Sequence, residues 1–224
     1  MELGPAILLG AFPAAAYVIG STPFGAIIAR AHGVDLRAAG SGNVGATNVG
    51  RVVGRAWGYL CFALDLLKGL GPVLAAWVLL RSQAGFPTLV HQASWLAVGC
   101  GAILGHVFSF WLRFRGGKGV ATALGVVLGV FPYFTYVGLC AFGLWIAVTL
   151  VSRYVSLGSV VAAISFLPLF AAFNWGSLGA LWPMGAFAVA MVAMIVARHR
   201  GNIRRLLAGT ESRIGGKVRD QESD

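Results

Sequence analysis

Residues 120–152 read VATALGVVLGVFPYFTYVGLCAFGLWIAVTLVS and contain no charged side chain. As one α-helix this stretch would be roughly 50 Å long at 1.5 Å per residue, whereas the hydrocarbon core of a bilayer is about 30 Å thick. Phe131-Pro132-Tyr133 offers a break near its middle, so the stretch reads as two short membrane spans. Tyr154 to Ala197 is longer still and divides at Asn174-Trp175-Gly176-Ser177. Upstream lie three more apolar runs: Leu3 to Ala29, about Ala56 to Leu80, and about Ser94 to Leu112. The sum is an all-α membrane protein with seven transmembrane helices.

Charge tests that number. With the N-terminus outside, fifteen Lys and Arg residues fall on the cytoplasmic side, against Arg81 alone outside and Lys68 within a span. Dividing only one of the two long runs would carry the basic C-terminal segment outside, against the positive-inside tendency. Seven spans with the C-terminus cytoplasmic satisfy it. The expected organisation is a single membrane domain over 1–217 with a flexible tail at 218–224.

Composition agrees. Of 224 residues, 58% are hydrophobic and 11% charged, and the mean hydropathy is +0.81. The net charge of +10 accompanies membrane ends rather than a soluble face, which points to membrane lipids as neighbours and away from nucleic acid. Cys61, Cys100 and Cys140 lie in apolar runs without metal or disulfide spacing and read as buried, inert thiols. The first run lacks the basic flank of a signal peptide and reads as a retained helix. Trp57, Trp77, Trp95, Trp111, Trp175 and Trp182 read as interfacial belt anchors. Gly101-x-x-x-Gly105 and Gly125-x-x-x-Gly129 suit close helix packing, and Ser21-Thr22-Pro23-Phe24-Gly25 suggests a kink near the end of the first span.

Three polar clusters fall on the cytoplasmic side of this topology. The first is Ala39-Gly40-Ser41-Gly42-Asn43-Val44-Gly45-Ala46-Thr47-Asn48-Val49-Gly50-Arg51. Glycine lets backbone N–H groups turn inward around an anion, and Arg adds a planar fork suited to phosphate. The second joins His106 to Arg115, Gly116, Gly117, Lys118 and Gly119; the third runs from His199 through Asn202 to Glu211. Each alone has a structural explanation: a turn, a positive-inside anchor, a basic tail. Convergence on one face argues for one anion site. Asp65 and Lys68 stand at i, i+3 inside a span, as a structural pair or a functional one. There is no paired-carboxylate constellation, aspartate-rich metal site, G-x-S-x-G elbow or H-E-x-x-H motif in the sequence, so no metal or other cofactor is expected.

The motifs resemble a known family. Ser41-Gly42-Asn43-Val44-Gly45-Ala46-Thr47-Asn48-x-x-Arg51, then Gly105-His106-x-Phe108 with Phe114-Arg115-Gly116-Gly117-Lys118-Gly119-Val120-Ala121-Thr122, then His199-x-x-Asn202-Ile203-x-Arg205-Leu206-x-x-Gly209-Thr210-Glu211 are similar, in order and spacing, to the signatures of the PlsY family. These are bacterial acyl-phosphate:glycerol-3-phosphate acyltransferases. The resemblance implies a seven-helix enzyme of the inner membrane with a cytoplasm-facing site. It implies acyl transfer from acyl phosphate to the 1-hydroxyl of glycerol 3-phosphate, giving lysophosphatidic acid and phosphate without direct use of acyl-CoA or acyl carrier protein.

By position, Ser41 and His106 hold or polarise the reacting groups. Gly42, Asn43, Gly45, Asn48, Arg51, Arg115, Gly116, Gly117 and Lys118 then belong to the phosphate sites, and His199, Asn202 and Glu211 grip the glycerol phosphate. The hydroxyl proton goes to substrate phosphate or to His106, whose neutral imidazole suits a base near pH 7. Ser109 replaces a common proline, which predicts a looser turn after His106. Arg115 replaces a common lysine, keeping the charge but changing its geometry. The alternative from another class is a transporter or channel for phosphorylated solutes. Against it stand the absence of an internal repeat and the placing of the motifs at one interface rather than at the midplane.

Overall fold

The structure is a computed structural model that describes residues 7–82 and 85–215; the expected tail at 218–224 and the first residues of the first run lie outside them. The described residues form helices without strands: α1 Phe12–Ser21, α2 Phe24–Ala31, α3 Ala46–Val52, α4 Arg55–Leu80, α5 Leu89–Val107, α6 Val120–Gly129, α7 Thr135–Ser152, α8 Val155–Phe173, α9 Trp182–Arg198 and α10 Arg200–Leu207. Among the described residues each apolar run is mainly helical, and the two long runs divide where the sequence places their breaks, after Gly129 and after Phe173. Among the described residues, five segments are long and apolar enough to cross a membrane, and a sixth if α9 and α10, bent by 56°, count together. By contrast α6, with 10 residues, is only about 15 Å long, half the hydrocarbon core.

The break between α1 and α2 at Thr22-Pro23 frees backbone carbonyls, which must find partners away from water. Lys68 Nζ donates to the Thr22 carbonyl at 2.7 Å, and Ser109 Oγ donates to the Ser21 carbonyl at 2.6 Å. The turn after His106 is therefore tied down, not loosened, by the serine at 109. Phe114 N–H, bonded to the Ser109 carbonyl at 2.8 Å, closes it further.

Small residues set the closest helix contacts. Gly101 and Gly105 of α5 lie against the carbonyls of Pro13 and Tyr17 on α1, and Gly125 of α6 lies against that of Leu66 on α4. A Cβ at any of these would collide with backbone, so both glycine pairs serve helix packing. Large apolar side chains such as Leu150, Val151, Trp111, Trp175 and Trp182 face outward. Trp95 does not: it is wholly buried, and its indole N–H donates to the Val73 carbonyl at 3.0 Å. It is core rather than belt, because hydropathy alone cannot tell a lipid-facing position from a bundle-facing one. For the same reason Cys61 is buried, as expected, while Cys100 and Cys140 are exposed on the outside of the bundle.

Candidate active site

The loop that opens the site is held by its own asparagines. Asn48, 2% exposed, accepts from the Ser41 N–H at 2.8 Å and donates to the carbonyls of Leu36 and Ala39 at 3.2 and 3.0 Å. Asn43 Oδ1 accepts from the Gly45 N–H at 2.8 Å, and the Gly42 N–H bonds the Ala39 carbonyl. Gly40 and Gly42 take positive φ, 61° and 68°, and a Cβ at Gly40 would strike Asn48 Oδ1. The N–H groups of Ser41, Gly42 and Gly45 thus close on the loop itself. Beside the loop, Ser41, Asn43, Gly45, Thr47 and Arg51 line the cavity.

That cavity, about 760 Å³ including its open mouth, gathers all three clusters. Ser41, Asn43, Gly45, Asn48 and Arg51 come from the first, His106 and Lys118 from the second, and His199, Asn202 and Glu211 from the third. Gly42, Arg115, Gly116 and Gly117 do not line it. Gly116 and Gly117 pack against His106, where a Cβ would collide with its carbonyl or its Nε2 respectively. Their own carbonyls accept from Arg198 Nη2 at 3.3 and 3.0 Å. They make room for the histidine. Arg115 is exposed, and its carbonyl accepts from Arg37.

Glu211 organises the third wall. Its Oε1 accepts from Ser156 Oγ at 2.7 Å and Asn202 Nδ2 at 2.6 Å, and its Oε2 from Arg205 Nε at 2.7 Å. Burial opposes its ionisation, but these three donors outweigh burial and hold the carboxyl below its ordinary range. Asn202 Oδ1 in turn accepts from Lys118 Nζ at 2.6 Å. Burial lowers Lys118 to about 8, with Glu211 opposing and Arg205, Arg51 and Arg198 adding to the fall. Burial also lowers Arg51, whose guanidinium donates to the Ser212 carbonyl at 3.2 Å. His199, at the bend beyond α9, places Nδ1 on the Ile195 carbonyl at 2.8 Å. Burial, followed by the Lys118 charge, lowers it to about 4, so it enters the site as a neutral ring.

Beyond the three motifs, Phe62, Asp65, Trp145, Val155, Ser156 and Ser159 also line the cavity, and of these only Asp65 carried a signal in the sequence, as a charge within a span. Ser156 is one serine at the start of an apolar helix, with no motif around it. Arg205 belongs to the third motif but stood outside the expected site. From the polar cavity an apolar groove of about 540 Å³ runs on between α6, α7, α8 and α9. The two share Phe62, Val120, Trp145 and Ser159, and Leu124, Phe142, Phe166 and Met191 line the groove farther in. One end can take an anion and the other an alkyl chain.

Fold and site together define an integral membrane protein with a cationic cavity opening onto an apolar groove. The family described as Glycerol-3-phosphate acyltransferase matches residues 10–209. A protein of that name from Geobacter sulfurreducens is 46% identical over 202 residues, 90% of this chain and 95% of the relative. One from Thermosynechococcus vestitus is 43% identical over 212 residues, 94% and 97% of the two chains. The glycerol 3-phosphate form of PlsY, an integral membrane glycerol 3-phosphate acyltransferase, matches with a TM-score of 0.78 at 43% identity, covering 92% of this chain and 94% of that one. The lysophosphatidic acid form gives 0.74 at 42%, covering 94% and 95%. The chain belongs to the glycerol-3-phosphate acyltransferase family and is an acyltransferase. Membership sets aside the transporter alternative.

Proposed function

We propose that the protein transfers a fatty acyl group from acyl phosphate to the 1-hydroxyl of sn-glycerol 3-phosphate, forming lysophosphatidic acid and inorganic phosphate. The hydroxyl oxygen attacks the acyl carbonyl carbon, and the bond from that carbon to the phosphate oxygen breaks. The proton passes to a substrate phosphate or to His106. The observation that carries this reading is the union of one cationic cavity with one apolar groove. It suits a substrate that is phosphate at one end and alkyl at the other.

In this reading Arg51, Lys118, Asn43 and Ser41 receive the donor's phosphate, and Ser41 and His106 face the reacting centre. His199 and Asn202, ordered by Glu211, hold the glycerol phosphate. Positioning and charge stabilisation supply most of the rate. Gly42, Gly45, Asn48, Gly116 and Gly117 shape the walls, and Arg115 adds attraction at the rim. The chain is one domain through residue 217, with seven spans, the N-terminus outside, and the site facing the cytoplasm of a bacterial inner membrane. Basic residues at Arg37, Arg51, Arg153 and along α10 support that orientation.

Purified protein given glycerol 3-phosphate and either acyl phosphate or acyl-CoA tests the proposal. Lysophosphatidic acid is expected from acyl phosphate alone; equal use of acyl-CoA, or no turnover of acyl phosphate, overturns it. Ser41→Ala and Arg51→Ala are each expected to lower kcat/KM about 100-fold or more while the protein stays folded.

A further inference from the structure

Asp65 and Lys68 bring opposite charges into α4, ten or more residues from its cytoplasmic end. Intramembrane charge is expensive, and an ion pair that merely cancelled itself would be better replaced by apolar packing. Here the pair does more than cancel. Lys68 Nζ lies 2.7 Å from Asp65 Oδ1 and donates to the freed Thr22 carbonyl at 2.7 Å, which anchors it to the α1–α2 break. The same Asp65 Oδ1 lies 3.7 Å from His106 Nδ1 on α5. Cys61 Sγ faces the other carboxylate oxygen at 3.7 Å. Asp65, Lys68 and His106 are 2%, 5% and 8% exposed. Asp65 and His106 line the polar cavity, whereas Lys68 does not.

We propose that Asp65 is a positioning residue for His106, with Lys68 as the fixed cation that holds the carboxylate in place. The inference rests on the acyl-transfer reading of the cavity. A carboxylate at Nδ1 selects the tautomer with the proton on that nitrogen and leaves Nε2 as the ring's free lone pair. The 3.7 Å gap is an open separation of the kind that tightens when substrate fills a site. The ring is confined from the opposite edge as well. Gly117 lies against Nε2, where any Cβ would collide, so ring rotation is limited from both sides. Carboxylate, imidazole and glycine together fix which atom of His106 meets the reacting groups.

A double-mutant cycle tests the assignment in the full-length protein. His106→Gln is expected to lower kcat about 100-fold, in the range of general acid–base contributions. Asp65→Asn, which keeps the volume, is expected to lower kcat at least about 10-fold with KM for glycerol 3-phosphate changed less than about 2-fold. In the His106→Gln background, Asp65→Asn should add less than about 2-fold, since a residue acting through another shows strong coupling. If Asp65 only braces α4 against the α1–α2 break, its effect will be the same in both backgrounds, and the proposal falls. Should Asp65→Asn fail to accumulate, nitrogen NMR of the wild-type ring decides, with the signal assigned by its loss in His106→Gln. A proton on Nδ1 supports the assignment; a proton on Nε2 overturns it. Wild-type protein inert toward acyl phosphate would instead condemn the acyl-transfer reading, so the two failures are distinct.

Discussion

Two carboxylates line the same cavity and are held in opposite ways. Glu211 accepts from three side chains on α8 and α10, all within 2.7 Å. Asp65 is close to one cation at 2.7 Å and meets its other neighbours only at 3.7 Å. A saturated carboxylate acts as a rivet, because each donor it loses is left unpaired. An unsaturated one keeps acceptor capacity in reserve for a group that moves. Glu211 therefore builds the wall that carries Asn202 and Ser156, while Asp65 steers one ring.

The comparison breaks most visibly at Glu211. Glu211→Ala strands Ser156, Asn202 and Arg205 together, and Asn202 is the residue that fixes Lys118. We expect kcat/KM to fall more than about 100-fold, with melting temperature also lowered, because each unpaired buried group costs about 1–3 kcal/mol. Glu211→Gln should recover less than a tenth of the lost activity, since its amide NH₂ would face donors. Steady-state acyl transfer beside a thermal melt of each variant checks both. Wild-type kinetics in Glu211→Gln would mean that charge at this position is dispensable.

A second test concerns the cation that Glu211 orders through Asn202. Lys118 titrates near 8 because burial disfavours its charged form. The protonated amine is the form that attracts phosphate, so it is present below pH 8 and lost above it. kcat/KM should be level below that pH and then fall toward tenfold per pH unit. Lys118→Arg stays charged and should remove the fall, though its fork changes the geometry and lowers the plateau. A wild-type profile level to pH 9.5 would show that Lys118 does not carry the binding.

Acid sharpens the contrast in stability. Glu211 is held below its ordinary value of 4.5, so its contribution is fully present above that pH and is lost as pH falls through the lower folded value. Thermal melts between pH 7 and pH 3 should show wild type losing more stability than Glu211→Gln, by a few degrees. Parallel curves would argue that the carboxylate's hydrogen bonds contribute no net stability.

The placing of the helices was legible because chargeless runs, prolines and the Asn-Trp-Gly-Ser break are local signals. Their consequences in space were less so. Trp95 and Trp111 look alike in sequence, yet one is core and the other exposed, because burial depends on which way the helix faces. The two glycine motifs resolve differently again. The first supplies turns with positive φ at Gly40 and Gly42, and the second supplies room for His106. Asp65 and Ser156 reach the site through contacts 41 and 55 residues away in sequence, with His106 and Glu211. No periodicity or spacing encodes such a contact. The anion site and Glu211 could be read from charge, glycine and motif, but the contacts that tie Asp65 to His106 and Ser156 to Glu211 could not.

The smallest expected effect separates cations inside the cavity from those on its rim. Arg115 stands in the second motif beside Lys118, but its side chain is exposed and outside the lining. Lys118 is anchored to Asn202 at 2.6 Å. An exposed cation attracts an anionic substrate at a distance and is screened over about 8 Å at physiological ionic strength. A cation in the cavity acts by contact and is screened far less. Arg115→Ala should therefore lower kcat/KM by about 2-fold at 0.15 M salt, with kcat unchanged, and by more at low salt. Lys118→Ala should lower it at every salt concentration. A salt titration of both variants measures this directly. A large, salt-independent loss in Arg115→Ala would mean that its side chain folds into the cavity when substrate is bound, and the rim would then belong to the site.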